Sequence, residues 1–584
     1  MKKKEKKKQK TMLRLLKYAF KNKLLVAIAF IFSLIANSFA ISAPFIIGKA
    51  IDLMTEAPVD LSTVLIWCMI LLSLYLISAL FNFLTHFVSY FIAGKAVYNL
   101  RKDMYLKMTK MSVKFFDTTS HGEIMQRMTS DMDYILDGLY QLITQFFGGF
   151  VSIVGIIVFM ILLNFYLALF VILFTPLCFL FSKTVIKRSA KFFKQQTKTA
   201  ADLNSYLDEV VNGQKTIRAF SFEEQSFEKY KKINDELYDS GQKSQFYSSI
   251  VNPLSRTLNY VIYIAIGVFG GLLSINRLIS VGKISSFLSY SIQFSQPINN
   301  ITAVSTQLQN ASASAYRIFE ILDKEIETPD SESAVMVLPY KKTVNFENIS
   351  FSYNKNKKLI ENFSLKVKTG MKVAIVGRTG SGKTTLVNLL MRFYDVDKGQ
   401  IKICDIDTQD IKRSILRKSF AMVLQETWLK SGTILCNITY GKKDVKAEDI
   451  ENVIKLSGCD SFINKLPDRL NTEIAENDRI SSGQKQLITI ARAMLNLPDL
   501  LILDEATSSV DILTEQKIGA AFDNMTKNRT SFVIAHRLST IKNCDIILVL
   551  EDGNIVEKGS HEELIKNSDG FYYKLYNSQF EALS

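Results

Sequence analysis

The segment Lys372–Tyr394, KVAIVGRTGSGKTTLVNLLMRFY, decides the fold of the C-terminal half of this 584-residue chain. Its first residues, KVAIV, have the pattern of a buried strand, and its last residues, TTLVNLLMRFY, have the pattern of a helix. Between them, Gly377 to Thr384 match the phosphate-binding pattern G-x-x-x-x-G-K-[ST]. Because the motif lies between a strand and a helix, as its role requires, we predict an α/β domain that binds a nucleotide.

The residue types of this phosphate loop suit the chemistry of a triphosphate. Glycines allow backbone N–H groups to turn toward phosphate oxygens at the positive end of the following helix. Lys383 can reach the outer phosphates, and the hydroxyl of Thr384 can hold Mg²⁺. We assign nucleotide binding to Gly377, Arg378, Thr379, Gly380, Ser381, Gly382, Lys383, Thr384 and Thr385.

The segment 499–511, DLLILDEATSSVD, is a second nucleotide signal. An apolar strand ends there in two carboxylates, Asp504 and Glu505. One carboxylate can position Mg²⁺, and the other can orient or polarise the attacking water. An acidic pair at a strand end can also cap the next helix, but the phosphate loop in the same chain favours nucleotide chemistry.

A third apolar strand, in SFVIAHRLST, ends close to His536. This strand is expected to reach the same edge of the sheet as the other two. A histidine alone would more often be structural, but in this context we interpret His536 as a contact to the γ-phosphate.

The N-terminal half is predicted to cross a membrane. Hydrophobic residues make up 48% of the chain and are concentrated before about residue 305. Six apolar segments reach the roughly 20 helical residues that cross a bilayer. They lie near 23–46, 63–90, 137–163, 165–186, 251–275 and 284–305. The loops rich in Lys and Arg belong on the cytoplasmic side, which places both termini there as well.

The net charge of +15 has two explanations. A basic protein can bind nucleic acid. Much of the excess, however, lies in the opening MKKKEKKKQKTMLRLLKYAFKNK, directly before the first apolar run, which fits a cytoplasmic N-terminus. We therefore expect a lipid bilayer as a partner and no nucleic acid.

Two cytoplasmic segments, about 92–135 and 187–248, are too long to be simple loops. Both have the pattern of continued membrane helices that are interrupted in the middle by turn-forming residues. A short element at each break could dock on a cytoplasmic partner, or the segments could form solvated helical hairpins. The pattern alone leaves both interpretations open.

Taken together, these segments resemble the ATP-binding cassette (ABC) exporters over nearly the whole chain. The membrane region comes first and the cassette second, as in a half-transporter of that family. The stretch FFDTTSHGEIMQRMTSD resembles the family's first intracellular loop. The resemblance implies coupling helices near 115–122 and 212–220, and it implies that two chains must associate for activity.

The resemblance also implies roles for individual residues. Tyr353 resembles the aromatic residue that stacks on adenine, and Gln425 resembles the glutamine that senses Mg²⁺ and takes part in catalysis. Glu505 matches the catalytic glutamate, and His536 matches the switch histidine. The residues implied to contact the ATP held by the opposite cassette are Ser481, Gly483 and Gln484, with Asp511 in the adjoining loop.

The signature in RISSGQKQLITIARAML departs from the family's usual Leu-Ser-Gly-Gly-Gln. Ser482 stands where the first glycine is usual, which puts a side chain where backbone approaches phosphate. In this family, a degenerate signature beside an intact glutamate resembles one member of a heterodimeric exporter. A homodimer that tolerates Ser482 is the alternative.

The predicted fold class is an all-α transmembrane domain with six membrane helices followed by an α/β P-loop nucleotide-binding domain. We predict the first domain at 1–315, a linker at 316–342 and the cassette at 343–584. The predicted function is the ATP-driven export of a drug, lipid or peptide across the plasma membrane, with ATP and Mg²⁺ as cofactors. An ATP-gated channel or regulator of the same architecture is the alternative.

Overall fold

The computed structural model describes residues 2–55, 59–339, 342–354, 358–425, 427–442, 444–474, 480–504, 512–534 and 541–581. Contacts divide the chain into two compact units. The first comprises residues 1–110 and 120–325, and the second comprises 111–119 and 326–584. The domain limits of 1–315, 316–342 and 343–584 stay a prediction.

The first unit is entirely helical in its described part. Its helices are α1 (Lys2–Ala19), α2 (Lys23–Thr55), α3 (Leu61–Met108), α5 (His121–Met128), α6 (Ser130–Leu163), α7 (Phe165–Asn212), α8 (Gln214–Ala219), α9 (Glu223–Ile275) and α10 (Val281–Leu322). The short helix α4 (Val113–Thr118), which lies between α3 and α5 in the sequence, belongs to the second unit. Each of the six predicted apolar segments lies within one of the long helices α2, α3, α6, α7, α9 and α10. The longest packing interfaces join α7 to α9, α6 to α10 and α2 to α3.

Several of these helices have the composition of membrane spans. Among the described residues, Lys23–Thr55, Leu61–Met108 and His121–Leu163 are apolar and long enough to cross a bilayer. Shorter apolar stretches lie at Phe165–Phe174 and Asn259–Ile275. Side chains set the ends of two spans: the Asp60 carboxylate accepts from the Ser62 and Thr63 N–H groups, and Asn164 caps α7.

Helices α2 and α10 approach each other closely at two glycines. A Cβ atom on Gly48 would lie 2.1 Å from the Ser286 hydroxyl oxygen, and one on Gly282 would lie 1.9 Å from the Gly48 carbonyl oxygen. Small residues allow such backbone contact between membrane helices. Beside this crossing, Ser286 donates to the Pro44 carbonyl at 2.8 Å and Tyr290 donates to the Ile41 carbonyl at 2.7 Å. These bonds satisfy polar groups around a proline inside α2.

In the residues that the structure describes, the second unit contains three sheets. Its strands are β1 (Val344–Phe351), β2 (Ile360–Val367), β3 (Lys372–Gly377), β4 (Lys398–Ile403), β5 (Ile406–Asp407), β6 (Phe420–Val423), β7 (Gly432–Thr433), β8 (Glu473–Ile474), β9 (Leu500–Asp504), β10 (Thr530–Ile534), β11 (Ile546–Glu551) and β12 (Asn554–Gly559). The central sheet has the order β12-β11-β3-β10-β9-β6, with β12 antiparallel and the others parallel. A four-stranded antiparallel sheet has the order β2-β1-β4-β5, and β7 pairs with β8.

The helices of the second unit are, after α4, α11 (Lys383–Leu390), α12 (Arg413–Lys418), α13 (Ile434–Ile438), α14 (Ala447–Ser457), α15 (Asp460–Ile463), α16 (Ser482–Leu495), α17 (Ile512–Thr526), α18 (His561–Leu564) and α19 (Phe571–Glu581). Two 3₁₀ turns lie at Thr408–Asp410 and Arg469–Asn471.

The central sheet is buried on both faces, as a mostly parallel sheet requires. Along β3, Val373 and Ile375 belong to the core shared with the antiparallel sheet, and Ala374 and Val376 belong to the core shared with α16 and α17. Successive strand residues point to opposite faces. The near-continuous apolar run KVAIV therefore supplies two cores at once.

The segment after α10 is bound to the second unit by ion pairs, and we call residues 326–335 the strap. Arg413 donates to the Thr328 carbonyl at 2.6 Å and to the Asp330 carboxylate at 2.7 Å. Arg417 donates to Glu327 at 2.8 Å. Val335 pairs with the backbone on either side of Ile411. The strap is therefore part of the folded unit of the cassette rather than a free connection.

We predict that Arg413→Met lowers the apparent melting temperature of the cassette by roughly 5–10 °C, which corresponds to about 2–3 kcal/mol, because it leaves strap oxygens unpaired. The chain has two tryptophans, so in a Trp67→Phe background Trp428 fluorescence reports the cassette. The matched control is Lys358→Met, which breaks an exposed ion pair with Glu361 and should shift the transition by less than about 2 °C. Equal shifts in both variants would contradict a structural role for the strap.

Candidate functional site

The phosphate loop joins β3 to α11 through glycines with left-handed backbone angles. Gly377, Gly380 and Gly382 have φ angles of 154°, 86° and 97°. A Cβ atom on Gly377 would lie 2.3 Å from the Leu550 carbonyl oxygen and 2.7 Å from the Ser381 hydroxyl oxygen. Only glycine permits this approach between the loop and β11.

The loop closes around its own lysine. Lys383 is buried at the first position of α11, and its Nζ donates to the Gly377 carbonyl at 2.7 Å and the Arg378 carbonyl at 3.0 Å. The Ser381 hydroxyl is buried and has no hydrogen-bond partner among the residues that the structure describes. A buried hydroxyl without a partner is costly, so it marks a place where a polar group of a ligand fits. The loop is thus a cradle with an unused polar atom and a buried cation.

A carboxylate faces this cation from the end of β9. Asp504 is 6% exposed, and burial raises its pKa, which the charge of Lys383 partly lowers again. Burial also lowers the pKa of Lys383, and the charge of Asp504 opposes that shift. Each ion therefore supports the charged form of the other in a site with little water.

The other predicted residues of the loop differ in their exposure to solvent. Thr384 is exposed on the first turn of α11, and Thr385 is buried. Arg378 and Thr379 are exposed, and the Arg378 guanidinium lies 5.4 Å from the Phe571 ring centre. The first turn of the helix thus offers an exposed hydroxyl beside the buried lysine.

Gln425 follows β6 by two residues and is exposed. Since β6 is the parallel neighbour of β9, Gln425 and Asp504 lie at the same edge of the central sheet. The hydroxyl of Thr384, the carboxylate of Asp504 and the amide oxygen of Gln425 are hard oxygen donors, which suit Mg²⁺. The residues present therefore fit the predicted metal.

Tyr353 is 43% exposed after β1, and other aromatic rings hold it in place. It packs edge-on against Phe351 at 5.0 Å and Tyr394 at 4.9 Å between ring centres. Asn388 of α11 donates to the Tyr353 hydroxyl at 3.2 Å. The sequence prediction named Tyr353 but missed Tyr394 and Asn388, although Tyr394 ends the same sequence segment as the phosphate loop.

The signature segment forms the start of α16. Ser481 is the N-cap residue and forms a capping box with Gln484: the Ser481 hydroxyl accepts from the Gln484 N–H at 3.3 Å, and the Ser481 N–H donates to the Gln484 side chain at 3.1 Å. Gly483 is buried, whereas Ser482 is exposed at the first helical position. Glu505, Asp511 and His536 lie outside the described residues, so their predicted roles stay predictions.

The first unit contains an apolar groove of about 610 Å³ between α6 and α10, with one residue from α1. Its lining includes a pair of amides, in which Asn300 donates to Gln145 at 3.2 Å. The lining residues are Met12, Leu142, Gln145, Phe146, Gly149, Phe150, Ile153, Pro297, Asn300, Val304, Leu308, Gln309 and Ser312. In the part of the chain that the structure describes, this lining contains no charged side chain. The volume lies in the range of small-molecule sites.

Comparison with known proteins gives two matches to family models. The model of the ABC transporter transmembrane region matches residues 26–298, and the model of the ABC transporter matches residues 360–508. The chain is also 37% identical to the uncharacterized ABC transporter ATP-binding protein YfiC of Bacillus subtilis over 98% of this chain and 94% of that protein. This chain belongs to the ABC transporters.

Two further similarities extend this result. The fatty acid ABC transporter ATP-binding/permease protein of Mycobacterium bovis is 38% identical over 86% of this chain and 80% of that protein. The solved structure of a bacterial Atm1-family ABC exporter with ATP bound has a TM-score of 0.76 and 26% identity, and the match covers 96% of this chain and 99% of that one. The predicted architecture of an exporter half-transporter is therefore confirmed.

Membership of the family settles several predictions. The transporter is a multi-pass membrane protein whose ATP-binding domain is cytoplasmic, and it is an ATPase coupled to transport. The half-transporter architecture implies that it dimerises.

We predict that Gly377→Ala weakens ATP binding by roughly 10–100-fold, because the new methyl group forces the loop away from β11. ATP-dependent stabilisation of the Trp428 transition measures the affinity. Gly519→Ala is the matched control, since Gly519 lies in α17 with nothing within 4 Å of an added Cβ; it should leave ATP affinity unchanged. Normal ATP affinity of Gly377→Ala would show that the tight approach to β11 is dispensable.

Proposed function

We propose that this ABC transporter uses ATP hydrolysis to export an amphipathic, lipid-like substrate with an uncharged head group across the plasma membrane. The observation that carries the proposal is that one chain holds both a glycine cradle with a buried lysine and an apolar groove whose lining includes an amide pair. Both termini are proposed to be cytoplasmic, in keeping with the basic opening segment.

The side chains that line the groove favour one class of substrate over another. Apolar and aromatic side chains suit an acyl chain or a drug ring, and Gln145 and Asn300 suit a head group that donates or accepts hydrogen bonds. The relative from Mycobacterium bovis is named for fatty acids, whose carboxylate carries a charge. A buried carboxylate without a cation nearby is strongly disfavoured. We therefore propose neutral amphiphiles rather than free fatty acids for this chain.

At the nucleotide site, we propose a role for each predicted group. Tyr353 stacks on the adenine, the loop N–H groups and Lys383 hold the phosphates, and Glu505 polarises the attacking water with His536 at the γ-phosphate. Thr384, Asp504 and Gln425 would hold Mg²⁺, which supplies neutralisation of phosphate charge when bound. Lys383 must leave its two loop carbonyls to reach a phosphate, so nucleotide binding exchanges those bonds for stronger charge-assisted ones.

Dimerisation completes each nucleotide site in this proposal. Ser481, Gly483, Gln484 and Asp511 of one chain contact the ATP held by the phosphate loop of the other. Closure of the two cassettes then acts on the membrane helices through the coupling helices. The predicted coupling segment near 115–122 overlaps the short helix α4, and the segment near 212–220 contains the short helix α8. The substrate shifts this equilibrium only through different affinities for the two conformations.

We further propose a heterodimer in which this chain contributes the working glutamate and the poorer signature. Ser482 lies at the first position of α16, where the family usually has glycine. A side chain there affects the site built on the partner's phosphate loop, not the site built on this chain. The asymmetry of the pair follows from this arrangement.

We predict ATP-dependent uptake of a fluorescent monoacylglycerol into proteoliposomes in which the cassettes face outward. Asn300→Arg should reduce this uptake roughly tenfold while improving uptake of the fatty acid of equal chain length, since the new cation pairs with a carboxylate. Asn276→Arg, at an exposed residue after α9, is the matched control and should change neither rate. Glu505→Gln should bind ATP but lose most turnover and uptake. ATP hydrolysis without uptake of either probe would instead favour a channel or regulator.

We predict little ATPase activity for this chain purified alone and full activity after co-expression with the complementary half-transporter. In that pair, Ser482→Gly should change turnover less than about twofold, because the site it repairs lacks a catalytic glutamate. Robust activity of the isolated chain, together with a several-fold gain from Ser482→Gly, would establish a homodimer and reject the heterodimer.

A further inference from the structure

Three aromatic rings form a compact cluster beside the phosphate-loop helix α11, and we call it the aromatic corner: Phe351, Tyr353 and Tyr394. Their centres are separated by 5.0 Å, 5.6 Å and 4.9 Å, and all three pairs meet edge to face. Such contacts have a preferred geometry, so the orientation of one ring restricts the others. Phe351 is buried at the end of β1 and anchors the cluster in the core.

Tyr394 also reaches the short helix α4. Its hydroxyl donates to the Asp117 carboxylate, and burial together with this bond raises the pKa of Tyr394. The segment 111–119, whose centre is α4, buries Met111, Phe115 and Thr119, and of these Phe115 lies in the helix itself. Residues 111–119 belong by their contacts to the same compact unit as the cassette. The bond to Asp117 is therefore internal to that unit.

One side chain thus makes two different contacts. The ring of Tyr394 touches Tyr353, and its hydroxyl holds α4. Packing alone would account for the ring contact, since a phenylalanine would serve equally well. The charge-assisted bond to an exposed carboxylate 277 residues away needs the hydroxyl. Because a hydrogen bond is directional, it also fixes the orientation of the Tyr394 side chain toward α4, which packing alone does not do.

We propose that Tyr394 is a positioning residue that transmits occupancy of the adenine site at Tyr353 to helix α4. The inference rests on the proposed stacking of adenine on Tyr353. When a purine covers the exposed part of the Tyr353 ring, the ring is fixed, and the edge contact fixes Tyr394 and its bond to Asp117. A triphosphate without a purine would fill the phosphate loop but would not fix the ring of Tyr353, and so would not fix Tyr394 or its bond to Asp117.

The test measures amide hydrogen exchange in the co-purified transporter pair with Glu505→Gln, so that bound nucleotide is retained. With saturating ATP, we expect slower exchange both in the phosphate loop, 377–385, and in the coupling segment, 111–119. With saturating UTP, we expect slower exchange in the loop and at most a third of the ATP effect in the coupling segment. This comparison separates binding of phosphate from occupancy of the adenine site.

Tyr394→Phe removes the hydroxyl and keeps the ring. It should abolish the ATP effect on 111–119 while leaving protection of 377–385 intact and, with Glu505 restored, the KM for ATP within twofold. Asp117→Asn should reduce the effect in the same segment. Tyr394→Leu should in addition raise the KM for ATP about tenfold, toward the value for UTP. Tyr18→Phe, which removes a tyrosine–aspartate bond to Asp103 at 2.9 Å elsewhere in the chain, is the matched control and should change nothing.

The outcomes separate the two proposals. Retention of the ATP effect at 111–119 in Tyr394→Phe would overturn the role of Tyr394. Equal effects of ATP and UTP at 111–119 in the chain that carries only Glu505→Gln, with no change in KM for ATP on Tyr353→Leu in the Glu505 chain, would instead overturn the stacking role of Tyr353. Because Tyr394→Phe keeps the packed ring, loss of folding in Tyr394→Leu would leave the test intact.

Discussion

The close approach of β3 and β11 at Gly377 is the constraint on which the cassette depends. The loop can leave the sheet at this point only because no Cβ lies between Gly377 and the Leu550 carbonyl. This turn places Lys383 at the start of α11, beside Asp504 at the end of β9. A cation and a carboxylate are thereby buried together at one edge of a parallel sheet, where the charges support each other and little water competes. Thr384 follows Lys383 in α11, and Gln425 follows β6 at the same edge of the sheet.

The compact unit that contains the cassette also includes residues 111–119 and 326–342, which lie outside the predicted range of 343–584. The central sheet shares one core with the antiparallel sheet and another with the helices α16 and α17. The strap adds ion pairs from residues 326–335, and the aromatic corner adds a bond to α4, from a distant part of the chain. Contacts of this kind make residues 111–119 and 326–335 part of the compact unit that contains the cassette.

The parts of this structure that periodicity and glycine motifs encode could be predicted, because they depend on local sequence. The apolar run in KVAIV and the pattern around Lys383 specify a buried strand, a turn and a helix, and the structure has them at β3 and α11. The six apolar segments likewise lie in six long helices. The strap and the contacts of Tyr394 could not be predicted, since they join residues far apart in sequence. The residues next to Asp117 and Arg413 in the sequence do not indicate that these side chains bond to Tyr394 and Asp330.

The capping box at the start of α16 has a thermodynamic consequence for assembly. In the single chain, both the backbone and the side chain of Gln484 are already bonded to Ser481. A contact made to a nucleotide on another chain through the side-chain oxygen of Gln484 would give up the bond from the Ser481 N–H, which is worth about 0.5–1.5 kcal/mol, whereas a contact made through the side-chain NH₂ group would keep it. The helix end is already satisfied in the single chain, so engagement of the oxygen would displace the association equilibrium toward separated cassettes by up to roughly tenfold for each signature. By that route, a helix cap would set a threshold for the ATP-dependent association of two cassettes.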